Sequence, residues 1–299
     1  MQLLPYLKIG HFTNKSAQTG LSVLLFEQAV KCGAWVCGSA PGTYSVLPFC
    51  QAGFSVNSIH GLMLTGGSAF GLTAVQGVMQ WLHEKGRGLE VGVSVIPIVP
   101  AACIFDLNCG EVAWPSASEA YLACEQASDK IQTGQIGVGT GATVGKLVAG
   151  CQAMPGGFGA AQITQDDIVV QAFVAVNAAG DVMDEKGIIK AGAQTQGKPA
   201  NSLQHIIQGN KKVSQFQAGI MNTTLIAVVT NAKFQKDELI RISKMASSGL
   251  ARAIVPAFTS VDGDLVFSVS NGSLAADECV VGSMAAEASR LAILNAVEH

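Results

Sequence analysis

The stretch GIMNTTLIAVV, residues 219–229, carries polar Asn222, Thr223 and Thr224 straight into an apolar strand. Threonine is a good β-former, so the triplet has an ordinary reading as a polar strand edge. It also has a chemical one. Were the amide before Thr223 severed, one residue would hold both a hydroxyl nucleophile and a free α-amine, which with an ordinary pKa of about 7.7–8.0 can act as a general base near neutrality. The triplet is also an N-glycosylation sequon, as is Asn271-Gly272-Ser273, but the N-terminus shows no basic region or small-residue cleavage site that would read as an export signal.

Other residue types narrow the chemistry. Asp262 and Asp264 flank Gly263 just before an apolar run. In an extended segment the i, i+2 spacing puts both carboxylates on one face, although an Asp-Gly-Asp turn accounts for the same residues. Gly66, Gly67 and Ser68 open GGSAFG, which lacks the Lys-Ser/Thr of a phosphate loop. Backbone N–H groups at a helix start there could hold an anion or a substrate carboxylate; close strand-to-helix packing would equally explain the glycines. Gly137, Gly139 and Gly141 precede no amphipathic helix, so a dinucleotide fingerprint is rejected. The five histidines lack ligand spacing, and the eight cysteines contain no Cys-x-x-Cys. No metal and no organic cofactor is expected, and the thiols read as reduced and mostly buried.

These residues need elements to position them. Residues 58–67 read as an apolar strand, and 68–86 as a helix with Phe70, Val75, Val78, Met79 and Leu82 on its apolar face, Ser68 as cap and Gly86 as stop. A strand-like run over 91–107 is broken by Pro97 and Pro100, and a second helix is expected over 118–128. Residues 163–184 predict a long strand ending in FVAVN, a turn and another strand. Residues 190–218, rich in Gln, Lys, Asn and Gly, read as a linker. A strand from Thr223, a helix over 236–253, the strand DLVFSVS and a last helix over 277–297 complete the chain. That succession suits sheets packed between helices.

The 299 residues suffice for a large core. An apolar fraction of 49% against 13% charged, with mean hydropathy +0.37, suggests further burial between subunits. A net charge of −3 without a basic cluster argues against nucleic acid or an anionic membrane as partner. No apolar run reaches membrane-spanning length, so a cytoplasmic location is expected.

The wider pattern is more specific. The segments LMLTGGSAFGL (62–72), IFDL (104–107), GVGTGATVGK (137–146), FVAVNAAGDV (173–182), MNTTLIAVVTNA (221–232) and the run from Met245 to Gly272 occur in an order that resembles the DmpA aminopeptidase and nylon-oligomer hydrolase family. These are self-cleaving N-terminal-nucleophile hydrolases, and the resemblance spans about residues 9–286. It implies an αββα sandwich of the DmpA/ornithine acetyltransferase type, formed by one domain over 1–299. The chain would cut itself between Asn222 and Thr223 into segments of 222 and 77 residues and assemble as a homotetramer of nicked protomers.

The resemblance also implies roles. Thr223 is the nucleophile, and Lys146 the active-site lysine that keeps the new amine unprotonated. Asn177 donates its amide to the developing oxyanion, and Asp262 and Asp264 hold the hydroxyl and amine of Thr223. A solvated lysine and a strand-corner asparagine are the plain alternatives for Lys146 and Asn177. Thr with Asp-x-Asp looks like the nylon-oligomer branch, whereas the aminopeptidase branch resembles Ser with Ser-x-Glu. The expected substrate is a small peptide or amide. Acyl transfer of the ornithine acetyltransferase type is an alternative, though that group's nucleophile motif is absent, and an unprocessed, non-catalytic homologue is another. Loops such as 114–121 and 156–162 are the expected source of pocket residues.

Overall fold

The structure, a computed structural model, describes residues 1–39, 44–45, 50–209 and 222–298. Its strands are β1 (Leu7–Asn14), β2 (Thr19–Val36), β3 (Ser58–Thr65), β4 (Ala101–Cys103), β5 (Gly157–Gln165), β6 (Ile168–Asn177), β7 (Asp181–Met183), β8 (Thr223–Ala232) and β9 (Leu265–Leu274), with shorter ones between. The main helices are α1 (Val75–Glu84), α2 (Ala117–Glu125), α3 (Ser202–Ile207), α4 (Lys236–Ala253) and α5 (Glu278–Asn295). Hydrogen bonds join the strands in the order β5-β6-β8-β9-β2-β3-β4, with β1 added on β2 and Tyr44–Ser45 at the far edge.

The 18-residue β2 belongs to two half-sheets. Its first part pairs with β1 and β3 through Leu21–Leu25, and its last part, from Lys31 to Val36, pairs with β9. Between them the register against β3 shifts and Glu27, Gln28 and Ala29 are exposed, which lets the strand pass from one half to the other. Side-chain alternation then builds three apolar layers. Leu24 and Phe26 meet Leu62, Leu64, Phe173, Leu225, Ala227 and Phe267 between the halves. Ile226, Val228 and Val266 face α4 and α5, whereas Leu21, Val23, Leu25 and Met63 face α1 and α2. The expected αββα sandwich is therefore present, its two sheets continuous through β2.

Strand β8 is buried on both faces, and each fully buried Leu, Ile or Val is worth roughly 1.5–3 kcal/mol. Helix α4 buries Leu239, Ile242, Ala246 and Leu250, and Gly249 lets it approach α5, since a Cβ there would lie 1.9 Å from the Ala286 carbonyl oxygen.

Several elements differ from expectation. The strand expected from Ile163 is a hairpin, because Asp166 adopts φ +51° and turns β5 into β6; residues 157–165 are thus strand and not a pocket loop. The helix expected from Ser68 begins as a short turn, Ser68–Gly71, and passes through a 3-10 segment before α1. Gly67, not Ser68, is its N-cap, and no side chain caps it. Phe70, expected in the core, is 55% exposed. Residues 190–209 of the expected linker are folded. Buried Asp181 accepts from Ala193 N–H (2.8 Å), Ser202 N–H (2.6 Å) and Ser202 Oγ–H (2.7 Å), pinning α3 to β7. The remainder, 210–218, lies outside the described residues.

Candidate active site

Thr223 opens β8 where three elements end together. Antiparallel β6 brings Asn177 opposite Thr223, and parallel β9 places the preceding Asp262-Gly263-Asp264 alongside, with Asn222 bridged to Asp262. The packing is tight: Asn177, Asn222, Thr223, Asp262 and Asp264 are all buried.

The scissile-bond candidate is held from both sides. The Thr223 hydroxyl donates to the Asn222 carbonyl oxygen at 2.5 Å, and the Gly263 N–H donates to the same oxygen at 2.8 Å. Two donors on one carbonyl polarise it, as an oxyanion hole does. Asp264 accepts the Thr224 N–H at 2.6 Å, while Asp262 accepts from the backbone and hydroxyl of Thr259 at 2.9 and 2.6 Å. In the uncut chain Asp264 therefore holds the residue after Thr223 and Asp262 holds Thr259, while the Thr223 hydroxyl, expected on these acids, is engaged by the Asn222 carbonyl.

Lys146 lies on a loop tied to the turn after β6 by Gly145 N–H to Gly180 O and Lys146 N–H to Ala179 O. Its ammonium donates to Asn177 Oδ1 at 2.7 Å and to the Asn177 carbonyl at 3.1 Å. Thr143 N–H also donates to Asn177 Oδ1, and Asn177 Nδ2 donates to the Phe105 carbonyl at 3.1 Å. The asparagine is therefore clamped with its amide nitrogen turned toward the other half-sheet, so one Nδ2 hydrogen is committed to Phe105.

That contact leads to a residue for which sequence reasoning gave no role. Asp106, following Phe105, is 1% exposed and accepts the Gly67 N–H at 2.6 Å. Gly66 has no room for a side chain, since a Cβ would fall 2.0 Å from Asp106 Oδ2 and 2.4 Å from Thr19 Oγ1. The only trace in the sequence is an acid placed directly after an apolar strand, within IFDL. The same bonds correct the anion-site expectation. Gly66 N–H goes to Gly20 O, Gly67 N–H to Asp106, and Ser68 N–H to Ile104 O, so all three donors are spent inside the protein.

Electrostatics follow from burial. Desolvation, then the neighbouring Asp262, push Asp264 up to about 8. Asp262 is raised by desolvation against the Thr259 hydrogen bonds and the Lys146 charge, and Asp106 is raised by desolvation to about 6, opposed by the Gly67 N–H, Thr19 and Lys146. The Lys146 charge thus acts on two of these buried acids, Asp106 and Asp262, while Asp264 answers to burial and to Asp262.

The layered fold and this cluster define a class of enzymes that hydrolyse amide bonds. The chain belongs to peptidase family S58, whose description matches residues 4–299. It is 37% identical over 248 residues to an uncharacterized aminopeptidase of Mycobacterium tuberculosis, covering 80% of this chain and 69% of that one. It is 28% identical over 314 residues to a 6-aminohexanoate-oligomer endohydrolase of Kocuria sp., covering 98% and 84%. Its fold matches that of the L-aminopeptidase D-Ala-esterase/amidase of Ochrobactrum anthropi, described as a variant of the Ntn-hydrolase fold, with TM-score 0.70 at 14% identity, covering 98% of this chain and 84% of that one.

Proposed function

We propose that this is a self-processing N-terminal-threonine hydrolase that cleaves small peptides or amides derived from amino acids, in the cytoplasm and as a homotetramer of nicked protomers. The observation that carries the reading is the Asn222 carbonyl held by both the Thr223 hydroxyl and the Gly263 N–H.

Processing begins with attack of Thr223 Oγ1 on the Asn222 carbonyl carbon while Gly263 stabilises the developing oxyanion. The C–N bond breaks, the threonine nitrogen takes the proton, and Asn222 is left as an ester on Oγ1. Water hydrolyses that ester, giving an Asn222 carboxylate and a free Thr223 amine. A neighbouring lysine disfavours protonation of that amine, which then removes the hydroxyl proton as a substrate carbonyl is attacked. The acyl-Thr223 ester forms as the substrate amine leaves, and a second water releases the acid. Gly263 N–H and the second Nδ2 hydrogen of Asn177 are the donors available to the substrate oxyanion, each such donor being typically worth about 2.7–4 kcal/mol.

Denaturing gels and intact mass test the first step. Wild-type protein is expected as segments of 222 and 77 residues, Thr223→Ser, which keeps a hydroxyl, as the same pair, and Thr223→Ala as one 30.8 kDa chain. A wild-type chain that stays whole and takes up no acylating reagent would instead support the non-catalytic homologue. Trapping of the acyl group by ornithine in preference to water would identify a transferase.

A further inference from the structure

Two large aromatic side chains stand uncovered on the Gly67 turn that Asp106 holds. Phe70 and Trp114 stack with ring centroids 4.6 Å apart and planes at 22°, yet remain 55% and 44% exposed. The stack is built and not incidental. Gly67, at φ +78°, carries no side chain because a Cβ would fall 2.3 Å from the Trp114 Cβ, so the tryptophan is seated directly on the turn. Ser68 also takes a positive φ, +53°, an uncommon conformation for a residue with a Cβ, and the next turn carries Phe70 outward.

Direct contacts connect this pair to Thr223. Trp114 rests on Gly67, whose N–H is held by Asp106; the preceding carbonyl, of Phe105, accepts from Asn177, which lies opposite Thr223 in the ladder. Aromatic faces in such a position bind flat apolar groups by offset stacking.

We propose that Phe70 and Trp114 form a shelf that selects substrates bearing an aromatic ring in the half of the molecule remote from the scissile amide. The proposal rests on the hydrolase reading above and deepens it by naming a substrate class.

The test uses Trp114→Ala, which keeps the Cβ over Gly67, and Phe70→Ala, which alters an exposed side chain, with Trp114→Phe as the conservative variant. Kinetics are measured on dipeptide pairs that differ only by phenylalanine against alanine, placed once in the acyl half and once in the amine half. In one of these halves the alanine variants are expected to raise KM for the ring-bearing member about tenfold, with kcat and the alanine-bearing member within about twofold, and Trp114→Phe to restore most of the loss. Self-cleavage on gels should be unchanged in all three. Equal effects on both members of each pair, no change in KM, or loss of the oligomer on size exclusion in place of a KM effect would overturn the shelf. If wild-type protein hydrolyses none of the dipeptides, the hydrolase reading fails separately. Fluorescence titration of Thr223→Ala protein, with and without Trp114→Ala, then reads the shelf directly: it survives if phenylalaninamide binds through Trp114 more tightly than alaninamide, and fails otherwise.

Discussion

Asp264 binds the Thr224 N–H from the interior, where burial and Asp262 push its pKa up to about 8. An unfolded aspartate titrates near 3.9. Between about pH 4 and 8 the native chain therefore holds the extra proton, and the contribution of this group to stability falls as pH rises through that window. Asp264→Asn keeps an acceptor for Thr224 without a charge, so urea midpoints of the variant should vary less between pH 5 and 8 than those of wild type. An unchanged slope would mean that Asp264 is not the titrating group. The same variant should slow self-cleavage, because it replaces a carboxyl that can take up and release a proton beside Thr224 with an amide that cannot. Unaltered processing, followed by gel, would count against that role.

The elements leading to Asn222 are anchored more firmly than a linker composition suggests. Asp181 on β7 holds three donors, two of them from Ser202 at the start of α3, and no side chain of another type satisfies all three. Asp181→Ala leaves buried N–H and O–H groups without acceptors, a loss of roughly 3 kcal/mol on the scale of 1–3 for each unsatisfied group. Limited proteolysis should then find new cuts within 190–209, while the sandwich, held by three apolar layers, resists. A digest identical to wild type would show that the anchor is dispensable. Here the sequence misleads for a physical reason: Gln, Lys and Gly mark low burial, and this segment is tied down at Ala193 and Ser202 by hydrogen bonds to a buried acid.

At the scale of the whole molecule, acid should loosen the joint between β1, β2 and the Gly137–Gly139 turn. His11 on β1 meets Ser22 Oγ on β2 at 2.8 Å, and Ser22 Oγ also accepts the Val138 N–H at 3.1 Å. Desolvation lowers His11 to about 4. The unfolded histidine takes its proton near 6.5, so stability is complete above that pH and declines as pH falls toward 4, by about 3 kcal/mol if no other group responds. Thermal melts of wild type and His11→Gln should differ in slope across pH 4–6.5, and parallel slopes would assign acid sensitivity elsewhere. Light scattering checks the proposed assembly, with a tetramer expected at four times 30.8 kDa. Among the described residues no helix is long and apolar enough to cross a membrane.

The helical repeat places α4 and α5, and short apolar runs place β3, β8 and β9, each to within a few residues. The order of polar motifs along the chain was likewise sufficient to place it in its family. What the sequence could not state is which side chains meet. Asn177 is clamped by Lys146 and turned to Phe105, Asp106 holds a turn 39 residues away, and Phe70 leaves an apolar helical face to stack on Trp114. The Asn177–Phe105 contact joins the two half-sheets, and the others join segments far apart in the chain; a pairing between distant segments leaves no local period from which it could be read, and the first exists only once β2 has carried the chain from one sheet into the other.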